Sequence, residues 1–156
     1  DGGTGNDILQ LGGAGGTMIG GDGNDRMTAQ ALAWVYEPVD EYDKYSPGGF
    51  TRFDGGAGND RMIAYDWGHD LFVFRPHDGR DTIDNFNIEP ETADGYWEVA
   101  VDQVDLTAFG LGMTAGQVID TYAVQRGDDT LLRLAPDATI RFLGVQAEEL
   151  VDSLIV

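Results

Sequence analysis

The sequence predicts an all-β fold: a parallel β-roll capped by a carboxy-terminal antiparallel, β-sandwich-like region. Three observations carry this. The phrase Gly-Gly-x-Gly-Asn-Asp occurs at residues 2–7, 20–25 and 55–60. The first two copies are eighteen residues apart, twice a nine-residue period. Each copy is followed, two residues after its aspartate, by an apolar side chain: Leu9, Met27 and Met62. Repetition of a G-G-x-G-x-D-x-U-x nonapeptide is the sequence signature of a parallel β-helical coil. One such phrase alone reads as a hairpin turn; three, with the apolar residue correctly placed each time, read as rungs of a roll.

Taken in order, residues 1–28 form the regular part. The first six residues of each nonapeptide make a tight turn and the last three a short strand, so two nonapeptides complete a coil and i stacks on i+18. Glycine is required where the turn takes positive φ. Leu9, Met18 and Met27 are expected inside a thin core. The repeat between the two glycine phrases, Leu11 to Ile19, keeps the period but has Gly16 where the acid is expected and Leu11 for the first glycine. It reads as a structural rung on the opposite edge without a strong ion site. Residues 29–53 break the period and read as a hairpin-like insertion, with strand-like arms at 31–36 and 50–53 around an acidic, turn-rich middle. If that insertion replaces one opposite-edge turn, the turn at Gly55 stacks directly on the turn at Gly20. Residues 66–74 read as a degenerate last rung, and 77–86 as another turn and strand with acids in metal-like positions.

From residue 87 the glycine period disappears, which divides the chain into a roll, 1–86, and a capping region, 87–156. Val101–Leu106 alternates as a strand. Thr114 to Ile119 reads as a short helix with Thr114 as N-cap. Strands are expected at 121–125, 130–134 and 139–143, joined by turns at 126–129 and 135–138. The end reads as a helical turn followed by a short apolar strand. Repeat folds need such caps on their open ends.

Composition constrains the chemistry. The chain of 156 residues carries 28 acidic and 9 basic side chains, a formal net charge of −19. That excess opposes compaction unless cations neutralise it, and argues against nucleic acid or an anionic membrane as partner. At 42% hydrophobic and 10% aromatic the chain is not a disordered acidic tail. Without cysteine and with two histidines, a thiolate or imidazole metal site is not expected. Aspartate oxygens and crowded glycine carbonyls are hard ligands in a flexible cage, which suits Ca²⁺. No apolar run approaches the length of a transmembrane helix and no amino-terminal signal peptide is present. Membrane insertion is not expected. The chain opens in mid-repeat, so a longer parent is expected.

Catalysis is not expected either, because no HExxH, G-x-S-x-G or P-loop phrase occurs. His69 and His77 read as exposed turn residues. A second functional reading uses the aromatics of the insertion, Trp34, Tyr36 and Tyr45 among them, as a calcium-dependent contact for extracellular polysaccharide; the alternative is that they pack the insertion onto the roll.

The nonapeptides, Asp70-x-Phe-Val-Phe74, Asp81-Thr-Ile-Asp-Asn-Phe86, Val104-Asp-Leu-Thr-Ala-Phe109, Gly127-Asp-Asp-Thr-Leu-Leu132 and Ile140-Arg-Phe-Leu-Gly-Val145 together resemble the carboxy-terminal part of repeats-in-toxin (RTX) proteins. That group includes serralysin-type proteases, bacterial lipases and mannuronan C5-epimerases. The resemblance implies a secreted bacterial protein exported by the type I machinery, two or more bound Ca²⁺ ions, and unfolding in the calcium-poor cytosol. It also implies that the terminal Asp152, Ser153, Leu154, Ile155 and Val156 are read during export. Carried over by position, one ion site is Gly3, Gly5 and Asp7 with Gly20, Asp22 and Asp25. A second is Gly21, Gly23 and Asp25 with Gly55, Ala57 and Asp60. A third joins Gly56, Gly58 and Asp60 to Pro76, Asp78 and Asp81.

Overall fold

Two inward-facing rows of side chains organise the computed structural model, which describes residues 1–12, 15–30, 50–65, 69–88 and 101–156. One row runs Leu9, Met27, Met62, Ile83 and Phe142 on successive strands. The other runs Met18, Phe53, Phe72, Val104 and Leu154. Each row is the apolar set of a half-buried sheet, whose side chains alternate between faces. The two sheets face each other across this core.

The first sheet has six strands in the order β1 (Gly3–Thr4), β3 (Gly15–Asp22), β5 (Phe50–Ala57), β7 (Leu71–Val73), β9 (Gln103–Asp105) and β13 (Leu154–Ile155). All of its pairings are parallel. The second has seven: β2 (Ile8–Gly12), β4 (Arg26–Gln30), β6 (Arg61–Ile63), β8 (Gly79–Asp84), β12 (Ala138–Phe142), β11 (Asp129–Ala135) and β10 (Ala123–Arg126). It is parallel from β2 to β12 and antiparallel from β12 to β10. The chain is an all-β roll in which the strands after residue 101 extend the same two sheets.

The core thickens along the roll. Phe53 stacks on Phe72 with ring centroids 4.7 Å apart, Phe72 meets Phe86 at 5.7 Å and Phe86 meets Phe142 edge-on at 5.2 Å. Helix α1, Ala115–Tyr122, covers this end and buries Val118. Its capping box is complete: Gln117 N–H donates to the Thr114 hydroxyl and Thr114 N–H to the Gln117 side chain. The helix takes in Thr121 and Tyr122, so the strand expected from 121 begins only at Ala123. The reason is the 118/119/122 spacing of apolar side chains against the core, which is helical and overrides the β-propensity of Thr and Tyr. The insertion, with Trp34, Tyr36 and Tyr45, lies outside the described residues apart from its two ends, Ala29–Gln30 in β4 and Phe50–Phe53 in β5.

Candidate metal centre

The glycine turns connect the first sheet to the second along one edge, and there they stack in strict register. Gly3 pairs with Gly21 and Gly21 with Gly56, and Gly58 bridges to Gly79. The turn at Gly55 therefore sits directly on the turn at Gly20, as the spliced insertion requires, and residues 76–81 form a fourth turn on the stack. Its second position is His77, with φ 75°, where the earlier turns have Gly3, Gly21 and Gly56 at φ 93°, 108° and 84°. Backbone bonds tie the turns together: Gly5 N–H donates to Asp22 O at 2.7 Å, Gly23 N–H to Ala57 O at 2.8 Å and Gly58 N–H to Asp78 O at 2.7 Å.

Two side-chain ladders run through the stack. In the inner one, each aspartate accepts the aspartate N–H of the preceding turn on Oδ1. The distances are 2.8 Å for Asp7 N to Asp25, 2.7 Å for Asp25 N to Asp60 and 2.9 Å for Asp60 N to Asp81. In the outer one the direction reverses, and each asparagine Oδ1 accepts an N–H of the following turn: Asn24 N–H donates to Asn6, Asn59 N–H to Asn24 and Arg80 N–H to Asn59. Asn6, Asn24 and Asn59 have no role of their own in the sequence analysis; their presence at the same place in all three phrases was the signal.

The second carboxylate oxygen is left over. Oδ2 of Asp7, Asp25 and Asp60 is buried without a hydrogen-bond partner, a costly state for an anionic atom. These oxygens curl over the first glycine of their own turn. A β-carbon at Gly2 would lie 2.6 Å from both Asp7 Oδ2 and the Gly20 carbonyl oxygen, and one at Gly20 would strike Asp25 Oδ2 and the Gly55 carbonyl. A free carboxylate oxygen and a carbonyl of the next turn thus converge at each interval, leaving room that only glycine provides. Hard oxygens from two successive turns, with an unneutralised charge between them, fit a Ca²⁺ ion. Among the described residues no three His, Cys, Asp or Glu side chains gather to hold a metal by themselves. An ion here would need backbone carbonyls beside the aspartate oxygens, both of which are ligands that calcium accepts.

Burial has its expected electrostatic effect. Desolvation, reinforced by neighbouring carboxylates, pushes the Asp60 carboxyl up to about 6 and that of Asp81 up to about 8; the N–H bonds they accept pull the other way. Asp78 is raised as well, chiefly by burial, while accepting the Arg75 N–H at 2.7 Å. Asp54, just before the third turn, is different. It is gripped by the Arg75 guanidinium at 2.6 and 2.7 Å, and that hydrogen bonding holds its carboxyl low. It is a committed ion-pair partner.

On the opposite edge Gly16 pairs with Thr51, so the first two turns there lack the acid. Two later residues supply it. Asp70 accepts Thr51 N–H at 2.9 Å, and Asp102 accepts Asp70 N–H at 2.7 Å and Asn87 N–H at 2.9 Å. Asp70 Oδ2 is again buried and unpartnered, whereas both oxygens of Asp102 are used. Irregular spacing had hidden this second, shorter ladder. His69 and His77 are exposed, and His77 Nδ1 lies 2.6 Å from Asp137. Leu154 and Ile155 of the terminal segment form the edge strand β13.

No family model matches the chain, and no curated protein matches it. Among solved structures it resembles the extracellular lipase LipA from Serratia marcescens, with a TM-score of 0.64 over 99% of this chain at 22% identity. The match spans 20% of that lipase. The likeness is one of fold: the chain is a β-roll.

Proposed function

We propose that the chain is a non-catalytic, calcium-binding β-roll module of a secreted bacterial protein. It leaves the cell unfolded through type I export and folds when extracellular calcium fills the turns. The observation that carries the reading is the set of buried, unpartnered Oδ2 atoms on Asp7, Asp25 and Asp60. In the first interval Gly3, Gly5 and Asp7 with Gly20, Asp22 and Asp25 would hold an ion. In the second the residues are Gly21, Gly23 and Asp25 with Gly55, Ala57 and Asp60. In the third, Gly56, Gly58 and Asp60 meet Pro76, Asp78 and Asp81. The ion supplies positive charge to a chain of formal net charge −19, and the protein supplies oxygens already aligned by backbone stacking.

Such sites do not exist in the unfolded chain, so binding is coupled to folding. Extracellular calcium modules bind with Kd of roughly 10⁻⁴–10⁻³ M, far above cytosolic free calcium. One site filled at a hundred times its Kd adds about 2.7 kcal/mol to stability. Resemblance to the RTX group extends this to secretion, with Asp152–Val156 as the segment the exporter reads.

Circular dichroism during a calcium titration tests the switch. The expected result is a cooperative gain of β-structure near millimolar calcium, reversed by chelator. The Asp25→Asn variant, which weakens two adjacent sites, should need several-fold more calcium. A fully folded chain in excess chelator overturns the reading.

A further inference from the structure

Six of the nine basic residues, Arg26, Arg61, Arg80, Arg126, Arg133 and Arg141, stand on one surface of a chain whose net charge is −19. They project from the outer face of the seven-stranded sheet. Register shows this directly. Arg26 pairs with Arg61, Arg61 with Thr82, Thr82 with Arg141, Arg141 with Leu131 and Leu131 with Val124, so all share a face. Arg80, Thr139 and Arg133 form a second row beside the first. Two acids stand on the same strand faces, Asp84 and Asp129, and each is paired, with Arg61 and Arg141 respectively. Arg26, Arg80, Arg126 and Arg133 have no ion-pair partner among the described residues. Arginines placed directly opposite one another, as Arg26 and Arg61 are, cost a sheet stability. The arrangement therefore needs a reason outside the fold.

We propose that this face docks on an anionic lipid surface. Three features favour a plane of phosphates over a single polyanionic strand. The arginines spread in two dimensions across a sheet about 29 Å wide, six interstrand spacings of roughly 4.8 Å. Aliphatic side chains sit among them, with Ile8 76% and Val124 36% exposed and Ile63 and Leu131 half-buried; arginine with apolar contact is the pairing that interfacial binding uses. No aromatic side chain projects from the described strands of this face, so it offers no stacking platform for bases. Guanidinium forks match phosphate oxygens, and Arg80, Arg133 and Arg141 line a shallow groove of about 760 Å³ together with Leu131.

Net charge, taken over the whole chain, argues the other way, but the fold segregates it. At about 0.15 M salt the Debye length is about 8 Å, less than the ~10 Å between stacked sheets. Acids on the far sheet are screened from a surface that touches this one. The inference rests on the folded sheet and not on which ion completes the turns.

Flotation of the full chain with vesicles, in calcium and with folding checked by circular dichroism, tests it. Binding is expected to vesicles containing phosphatidylglycerol and not to phosphatidylcholine alone. Each arginine near a charged surface contributes about a fivefold change in affinity. The Arg80→Gln/Arg133→Gln variant should therefore bind roughly 25-fold more weakly. Arg52→Gln, an equal charge change per residue on the other sheet, should bind as the parent chain does. Four outcomes overturn the proposal: no phosphatidylglycerol dependence, equal loss with Arg52→Gln, and binding unaffected by Arg80 and Arg133, which would mean bridging by calcium alone. The fourth is capture by heparin in place of vesicles, which would mean a linear polyanion.

Discussion

Strands β2 and β4 of the first rungs and the strands of residues 123–142 belong to one seven-stranded sheet, yet different forces hold them. Among the described residues of the first rungs, Met18, Met27 and Ala29 are the buried apolar side chains, with Leu9 and Leu11 partly buried. The rest of the interior is backbone, glycine and carboxylate. The later strands bury Leu132, Leu134, Ile140 and Phe142 against Val118 and Leu150. Where the coil is too thin for large side chains, stacked amides and aspartate ladders replace apolar volume, joined on the proposed reading by a cation. Burying a side chain such as leucine is worth about 1.5–3 kcal/mol; a filled ion site is worth a similar amount but only while calcium is present. One sheet thus joins a conditional part to an unconditional one.

The sharpest way to break the comparison is to fill the stack. A methyl group on Gly23 would overlap the carbonyl oxygen of Gly5, whereas one on Gly5 meets nothing within 4 Å. Both have positive φ, 138° and 114°. Gly5→Ala should therefore cost only conformational strain, about 1–2 kcal/mol. Gly23→Ala adds overpacking of about 1–3 kcal/mol and separates the turns that bracket two ion sites. Its expected phenotype is loss of the calcium-induced transition at any calcium level that folds Gly5→Ala. Equal effects of the two substitutions, measured by calcium titration, would show that φ alone matters and that close stacking does not.

The same contrast predicts how acid acts. In the folded, metal-free chain Asp81 is pushed up to about 8 and Asp60 up to about 6, against 3.8 for an ordinary aspartate. Between about pH 4 and 8 the folded form then holds protons that the unfolded form has released, so metal-free stability rises as pH falls through this window. Calcium requires the same carboxylates deprotonated, so its affinity falls over the same window. The calcium concentration at the midpoint of the folding transition, read by circular dichroism, should therefore rise between pH 8 and 5. An unchanged midpoint would mean that these carboxylates do not face the ion.

What the sequence made legible follows from regularity. Asp7, Asp25 and Asp60 were readable because glycine spacing fixed their turns, and the direct stacking of Gly55 on Gly20 followed once the insertion was counted as one opposite-edge turn. Asp70 and Asp102 were not, because the opposite edge varies in length: its ladder bonds span 19 and 32 residues. The helix reaching Tyr122 was cut short in the sequence reading because Thr121 and Tyr122 favour strands locally, while packing of Val118, Ile119 and Tyr122 decides the matter. The arginine face was invisible for a different reason. Its members lie between residues 26 and 141, and only the register of adjacent strands brings them together.

The smallest predicted effect tests the unconditional part. Helix α1 starts at a box in which the Thr114 hydroxyl accepts Gln117 N–H at 3.3 Å and Gln117 Oε1 accepts Thr114 N–H at 3.0 Å. Thr114→Ala removes one of these bonds and leaves a first-turn donor to water, at a cost of about 1 kcal/mol. Because the helix packs on β11 and on the turn at 147–153, away from the glycine edge, that loss should be the same at every calcium concentration. Urea melts of the calcium-loaded chain and of a partly loaded one should shift by equal free energies. A cost that grows as calcium is withdrawn would show that the helical end and the ion-filled rungs fold as one cooperative unit, and would dissolve the division drawn between them.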